Sequence, residues 1–86
     1  MHYRSQFTVA ERAENESAVN FVDRLRNLLK RGYLETDFKG LEPLMANQIR
    51  RGLKLAKASE ALILEPPSDS AAALKIAQKY EKLNFV

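Results

Sequence analysis

The chain predicts a mainly α fold, a small three-helix bundle. Apolar residues recur at spacings of three and four through residues 10–31, 41–65 and 69–83. Strong stop signals separate these runs, with Gly32 after the first and Pro66-Pro67 after the second. The connections are short, which favours antiparallel packing of sequential helices. Eighty-six residues make a single domain, 1–86. A chain of this length buries only about 60–65% of the surface its unfolded form exposes.

Residues 2–9, HYRSQFTV, alternate. Tyr3, Phe7 and Val9 fall on one side, and His2, Arg4, Gln6 and Thr8 on the other, so the period of two predicts a short N-terminal β-strand. An extended arm lying on the helices is the equal alternative. A lone strand needs backbone partners, so residues 2–9 are one candidate route to a homo-oligomer. The C-terminus, Asn84-Phe85-Val86, is the other.

The first helix is expected over 10–31. Thr8 and Glu11 have capping-box spacing, and Ser17 offers a second start. Ala18, Val19, Phe21, Val22, Leu25, Leu28 and Leu29 form its apolar face. Arg24, Arg26, Lys30 and Arg31 fill its C-terminal half, as the helix dipole favours. Gly32 supplies a left-handed residue to end it. The connection YLETDFKG carries Tyr33, Leu34 and Phe38, too apolar for a purely solvated loop.

The second helix, 41–65, has the widest stripe and is expected at the centre. Leu41, Leu44, Met45, Ile49, Leu53 and Ala56 form one line, broadened by Leu55, Leu62 and Ile63. Pro43 suits a first turn. Gly52, inside the run, predicts a close approach by another helix or a kink. Ser68-Asp69-Ser70 caps the third helix, 69–83, in which Ala73, Ile76, Ala77, Tyr80 and Leu83 recur at helical spacing.

These residues carry two local resemblances. Ala61-Leu62-Ile63-Leu64-Glu65-Pro66 resembles the end of a tetratricopeptide repeat, and Ala73, Ile76, Ala77 and Tyr80 resemble the opening of the next. Together they cover about twenty residues and lack the preceding half-repeat, so helix-hairpin packing accounts for the pattern. A strand leading into two helices resembles the ribbon-helix-helix repressors. That resemblance implies a dimer paired through the strand, with His2, Arg4, Gln6 and Thr8 facing outward to DNA.

Composition and motifs narrow the function classes. With 45% hydrophobic and 29% charged residues the chain has a globular composition. No apolar run approaches the roughly 18–20 residues of a membrane span. The opening residues show no signal-peptide pattern and there is no cysteine, so a cytoplasmic setting is expected. One histidine, His2, and no cysteine leave almost no ligands for zinc, and no cofactor is expected. No nucleophile elbow, phosphate loop or zinc-protease motif occurs. Glu35 and Asp37 read as turn chemistry. The chain is therefore not expected to be an enzyme.

The sharpest feature is basic. Between Glu42 and Glu60 there is no acid, while Arg50, Arg51, Lys54 and Lys57 fall within eight residues. On a continuous helix residues 50, 54 and 57 share a face, with 51 at its border and Asn47 one turn before. Arg24, Arg26, Lys30 and Arg31 would enlarge the patch if the first two helices lie side by side. A solvated outer face accounts for the same residues. Tyr33, Leu34, Phe38 and Phe85 form a candidate apolar partner surface. The leading expectation is a non-enzymatic regulatory or adaptor module, of inhibitor or accessory-factor type, binding another macromolecule, foremost a protein. The type fits a bacterial or phage accessory protein. The alternative is a nucleic-acid-binding regulator, monomeric or dimeric, using the basic helix face.

Overall fold

In the computed structural model, which describes residues 2–67 and 69–84, the fold is mainly α: α1 His2–Val9, α2 Ala18–Gly32, α3 Phe38–Gly52, α4 Ala56–Leu64 and α5 Ser70–Asn84. The three-helix expectation is thus corrected to five helices among the described residues, and no strand occurs among them. Ser68 and Phe85, and the side chains of His2, Phe38 and Leu83, fall outside the described residues.

Residues 2–9 are helical, not a strand. Tyr3 and Phe7 stand four apart, a spacing that fits period 2 and period 3.6 alike. Val9, which only the strand pattern needed inside, is 74% exposed. A helix satisfies its own backbone, whereas a strand here has no edge to join. Phe7 is buried, Arg4 Nε donates to the Gly32 carbonyl at 2.6 Å, and the Arg4 guanidinium lies 4.0 Å from the Tyr33 ring centroid. Those contacts clamp α1 across the end of α2. Arg4 is therefore engaged within the chain, and the ribbon that the repressor resemblance implied is not formed.

The first long helix starts at Ser17, not at the Thr8 capping box. Thr8 Oγ1 donates to the Ser5 carbonyl within α1, whereas Ser17 Oγ accepts from the Asn20 N–H at 3.1 Å. Residues 10–17 form an irregular connection. Ala18, Phe21, Val22, Leu25 and Leu29 of α2 are buried, as the spacing requires. Gly32 closes α2 without a left-handed conformation. Its role is space: a Cβ there would stand 2.9 Å from Arg4 Cγ and 3.1 Å from Arg4 N.

α3 begins at Phe38, earlier than expected, because Asp37 caps it by accepting from the Lys39 N–H at 3.3 Å. The expected helix 41–65 is broken at Leu53-Lys54-Leu55 into α3 and α4. The reason lies in the stripe itself. Leu53 and Leu55 are both buried, yet residues two apart project to different sides of a helix. A break lets a single chain bury both. What reads as one helix with a broad apolar face is two narrower helices folded against each other.

The core joins Phe21, Leu25 and Leu29 of α2 to Met45 and Ile49 of α3, with Leu53, Leu62 of α4, and Ala73 and Ala77 of α5. The alanines let α5 approach closely. α5 packs against α2, α3 and α4. Two side chains tie it down: Glu42 Oε2 accepts from the Ser70 N–H and Glu81 Oε2 from the Ala18 N–H, both at 2.7 Å. Gly52 does mark a close approach, but the chain that approaches is the α1–α2 connection. A Cβ at Gly52 would lie 2.4 Å from the Ala10 carbonyl oxygen.

Candidate functional site

The break at Lys54 divides the basic cluster. Asn47 and Arg50 stay together on α3, where Arg50 Nη2 donates to Asn47 Oδ1. Arg51 lies one side further round and borders a separate cleft with Thr8, Glu11 and Gln48. Lys54 sits in the joint and its Nζ is 3.1 Å from Glu11 Oε2. Lys57 belongs to α4, on the side of Ala61 and Leu64, which line a cleft with Ile76 and Tyr80 of α5. A single cationic face running through 47, 50, 51, 54 and 57 is therefore not formed.

Three of the α2 basic residues are held by neighbours of their own. Arg24 pairs with Glu16 at 2.9 Å and donates to the Glu11 carbonyl at 2.6 Å. Arg26 lies 3.4 Å from Asp23, and Arg31 lies over the Tyr3 ring at 5.5 Å. The Glu16 carboxyl is held below its ordinary value of 4.5, chiefly by the hydrogen bond from Arg24, against the opposing effect of burial. This cluster braces the α1–α2 connection.

Of the apolar surface expected at Tyr33, Leu34, Phe38 and Phe85, the structure describes the side chains of Tyr33 and Leu34. Tyr33 is half-buried against the core under Arg4, while Leu34 is 84% exposed on its own. The other two fall outside the described side chains. Asp37, read as turn chemistry, caps α3.

A groove with apolar side chains lies elsewhere. Pro43, Ala46, Asn47 and Arg50 of α3 face Leu62 and Ile63 of α4 across a groove of about 420 Å³, bounded at one end by Pro66 and Pro67. The walls are mostly apolar, and among the described residues Arg50 is the only charged side chain lining it. Among the described residues no carboxylate pairs with Arg50. Ile63 remains 59% and the adjacent Leu64 73% exposed. Periodicity misses Ile63, Pro66 and Pro67 as site residues because a continuous helix hides the groove. The available signal is the Ile-Leu pair next to a double proline, more apolar surface than a helix end needs.

Among the described residues no group of histidine and carboxylate side chains could hold a metal ion, and no helix is long and apolar enough to cross a membrane. No protein-family model, no curated protein and no solved structure matches the chain.

Proposed function

We propose that the chain is a non-enzymatic interaction module, of inhibitor or accessory-factor type, that docks an apolar and acidic segment of a partner protein in the α3–α4 groove. The observation that carries this reading is the pairing of an open, mostly apolar groove with one guanidinium that, among the described residues, is bonded only to a neutral amide. Apolar side chains of the partner cover Ile63 and the proline end. A carboxylate of the partner takes the remaining donors of Arg50 as a charge-assisted pair. Fully covering one side chain of this size yields about 1.5–3 kcal/mol, so a few such contacts outweigh the cost of association only if the charged contact also forms. The division of the basic cluster favours a protein over a nucleic acid, whose phosphates would need several cations in line. A cytoplasmic setting belongs to the same proposal.

The test begins with affinity capture from the source cells, then binding measurements on the purified partner. Ile63→Asp and Arg50→Glu are each expected to weaken binding at least tenfold while far-UV circular dichroism stays unchanged. Lys57→Glu, on the other side of α4, leaves it intact. A partner that binds the groove variants as well as the parent refutes the reading, as does capture that nuclease abolishes.

A further inference from the structure

We infer that the Leu53-Lys54-Leu55 joint is a hinge through which the chain exchanges α4 and α5 with a second copy, giving a dimer in which α3 and α4 run on as one helix. Three independent features meet at the joint. Lys54 has φ 60°, and it is the only non-glycine residue with positive φ among the described ones. Left-handed backbone at that position normally calls for glycine. Next, α4 starts from Leu55 with no side-chain cap, whereas α2 has Ser17, α3 has Asp37, and Asp69 Oδ1 accepts from the Ala72 N–H at the start of α5. The joint thus carries neither the usual stop nor the usual start signal. Third, the run LKLAKASEAL holds no proline or glycine and is made largely of good helix formers.

What holds the joint bent is Arg12. Its backbone N–H donates to the Gly52 carbonyl and its Nε to the Leu53 carbonyl, both at 2.7 Å. A continuing helix would give those two carbonyls to the N–H groups of Ala56 and Lys57, four residues on. Arg12 and helix continuation therefore compete for the same acceptors. The Lys54–Glu11 ion pair sits beside this latch. When the latch lets go and the helix straightens, α4 and α5 leave their own core. The same buried contacts, Leu62, Ala73 and Ala77 against α2 and α3, and the Glu42 and Glu81 hydrogen bonds, then re-form on a second copy, because every surface involved is present in each chain. Short strained hinges favour such exchange. Both α3–α4 grooves would be rebuilt, each from two chains. The inference stands apart from the proposed partner, since it rests on the joint and not on the groove.

Sedimentation equilibrium on the full chain, refolded from denaturant at roughly millimolar concentration, measures the dimer. A glycine–alanine pair at one position isolates the backbone effect, since both lose the ion pair to Glu11. Lys54→Gly relieves the bent state in each chain and is expected to weaken the dimer about thirtyfold relative to Lys54→Ala. Arg12→Ala frees the Leu53 carbonyl, while the residue-12 backbone N–H to Gly52 stays, and is expected to tighten it about tenfold. To distinguish exchange from side-by-side association, Glu42→Cys and Ser70→Cys are combined in this cysteine-free chain, and isolated dimer is treated with a short bis-maleimide. Exchange links the two chains into a denaturant-resistant dimer. Any of three results overturns the inference: parent and Arg12→Ala both monomeric after refolding, equal dimerisation of the Gly and Ala variants, or links formed only within chains.

Discussion

Replacing Gly52 and Gly40 by alanine in turn should move stability in opposite directions, although both glycines lie in α3. At Gly52 the added Cβ would sit 2.4 Å from the Ala10 carbonyl oxygen and 2.8 Å from Phe21 Cζ. Ordinary contact begins near 3.4 Å, so the residue-10 backbone would have to withdraw by roughly 0.6–1 Å. That backbone is pinned. The Ala10 carbonyl accepts from the buried Gln48 amide at 2.9 Å, and the Arg12 N–H donates to Gly52 itself at 2.7 Å. Overpacking of this kind costs about 1–3 kcal/mol, and stretching two hydrogen bonds adds about 1–2 kcal/mol. Better helix propensity returns about 1 kcal/mol. The net expectation is a loss of about 2–3 kcal/mol, out of a total of about 4–13 kcal/mol for a chain this long. At Gly40 nothing lies within 4 Å, and Gly40→Ala should gain about 0.5 kcal/mol, since the first turn draws only part of the propensity difference. Urea titration read by far-UV circular dichroism measures both, and the midpoint temperatures should differ by at least roughly 10 °C. A stable Gly52→Ala protein, or a shared direction of change, would refute the packing of the α1–α2 connection against α3.

Gln48→Ala removes the amide that satisfies the Ala10 carbonyl in a buried setting and is expected to cost about 1–3 kcal/mol in the same titration, with the slope unchanged. Ser17→Ala deletes the α2 cap and should cost about 1 kcal/mol, whereas Thr8→Ala, at the unused capping box, should be near neutral. Glu16 gives a pH signature. Its carboxyl is depressed below 4.5 by the Arg24 hydrogen bond, so its contribution is present above that value and is lost as pH falls through its lower folded value. Glu16→Gln should therefore narrow the stability difference between neutral and acid solution. The effect is small, because Arg24 is 42% exposed and solvent screens the pair. A parent and variant with identical acid profiles would contradict it.

The basic cluster is legible in the sequence as residues but not as a surface. Counting charges finds Arg50, Arg51, Lys54 and Lys57, yet their arrangement depends on whether the backbone continues past Leu53. Asn47 and Arg50 keep their neighbourhood because they lie within one turn of the same helix, and local periodicity is enough to place them. Lys57 loses it because one left-handed residue re-aims everything after it. The groove is invisible for the same reason: its walls, Pro43–Arg50 and Leu62–Ile63, meet only when α4 folds back.

What the chain by itself determined is local. Buried positions of α2 come from spacing, and side-chain chemistry narrows its start to two caps, Thr8 and Ser17, of which the fold uses Ser17. The Pro66-Pro67 stop and the α5 face of Ala73 and Ala77 are equally readable, because each depends on residues a few positions away. Tertiary structure decided the rest. In residues 2–9, a pattern shared by strand and helix was resolved by the clamp of Arg4 and Phe7 onto α2. In residues 53–55, good helix formers were bent because Leu53 and Leu55 both gain burial and Arg12, far earlier in the chain, holds the carbonyls that a straight helix would use. Contacts between residues so far apart leave no periodic trace, and they set which local preference is overruled.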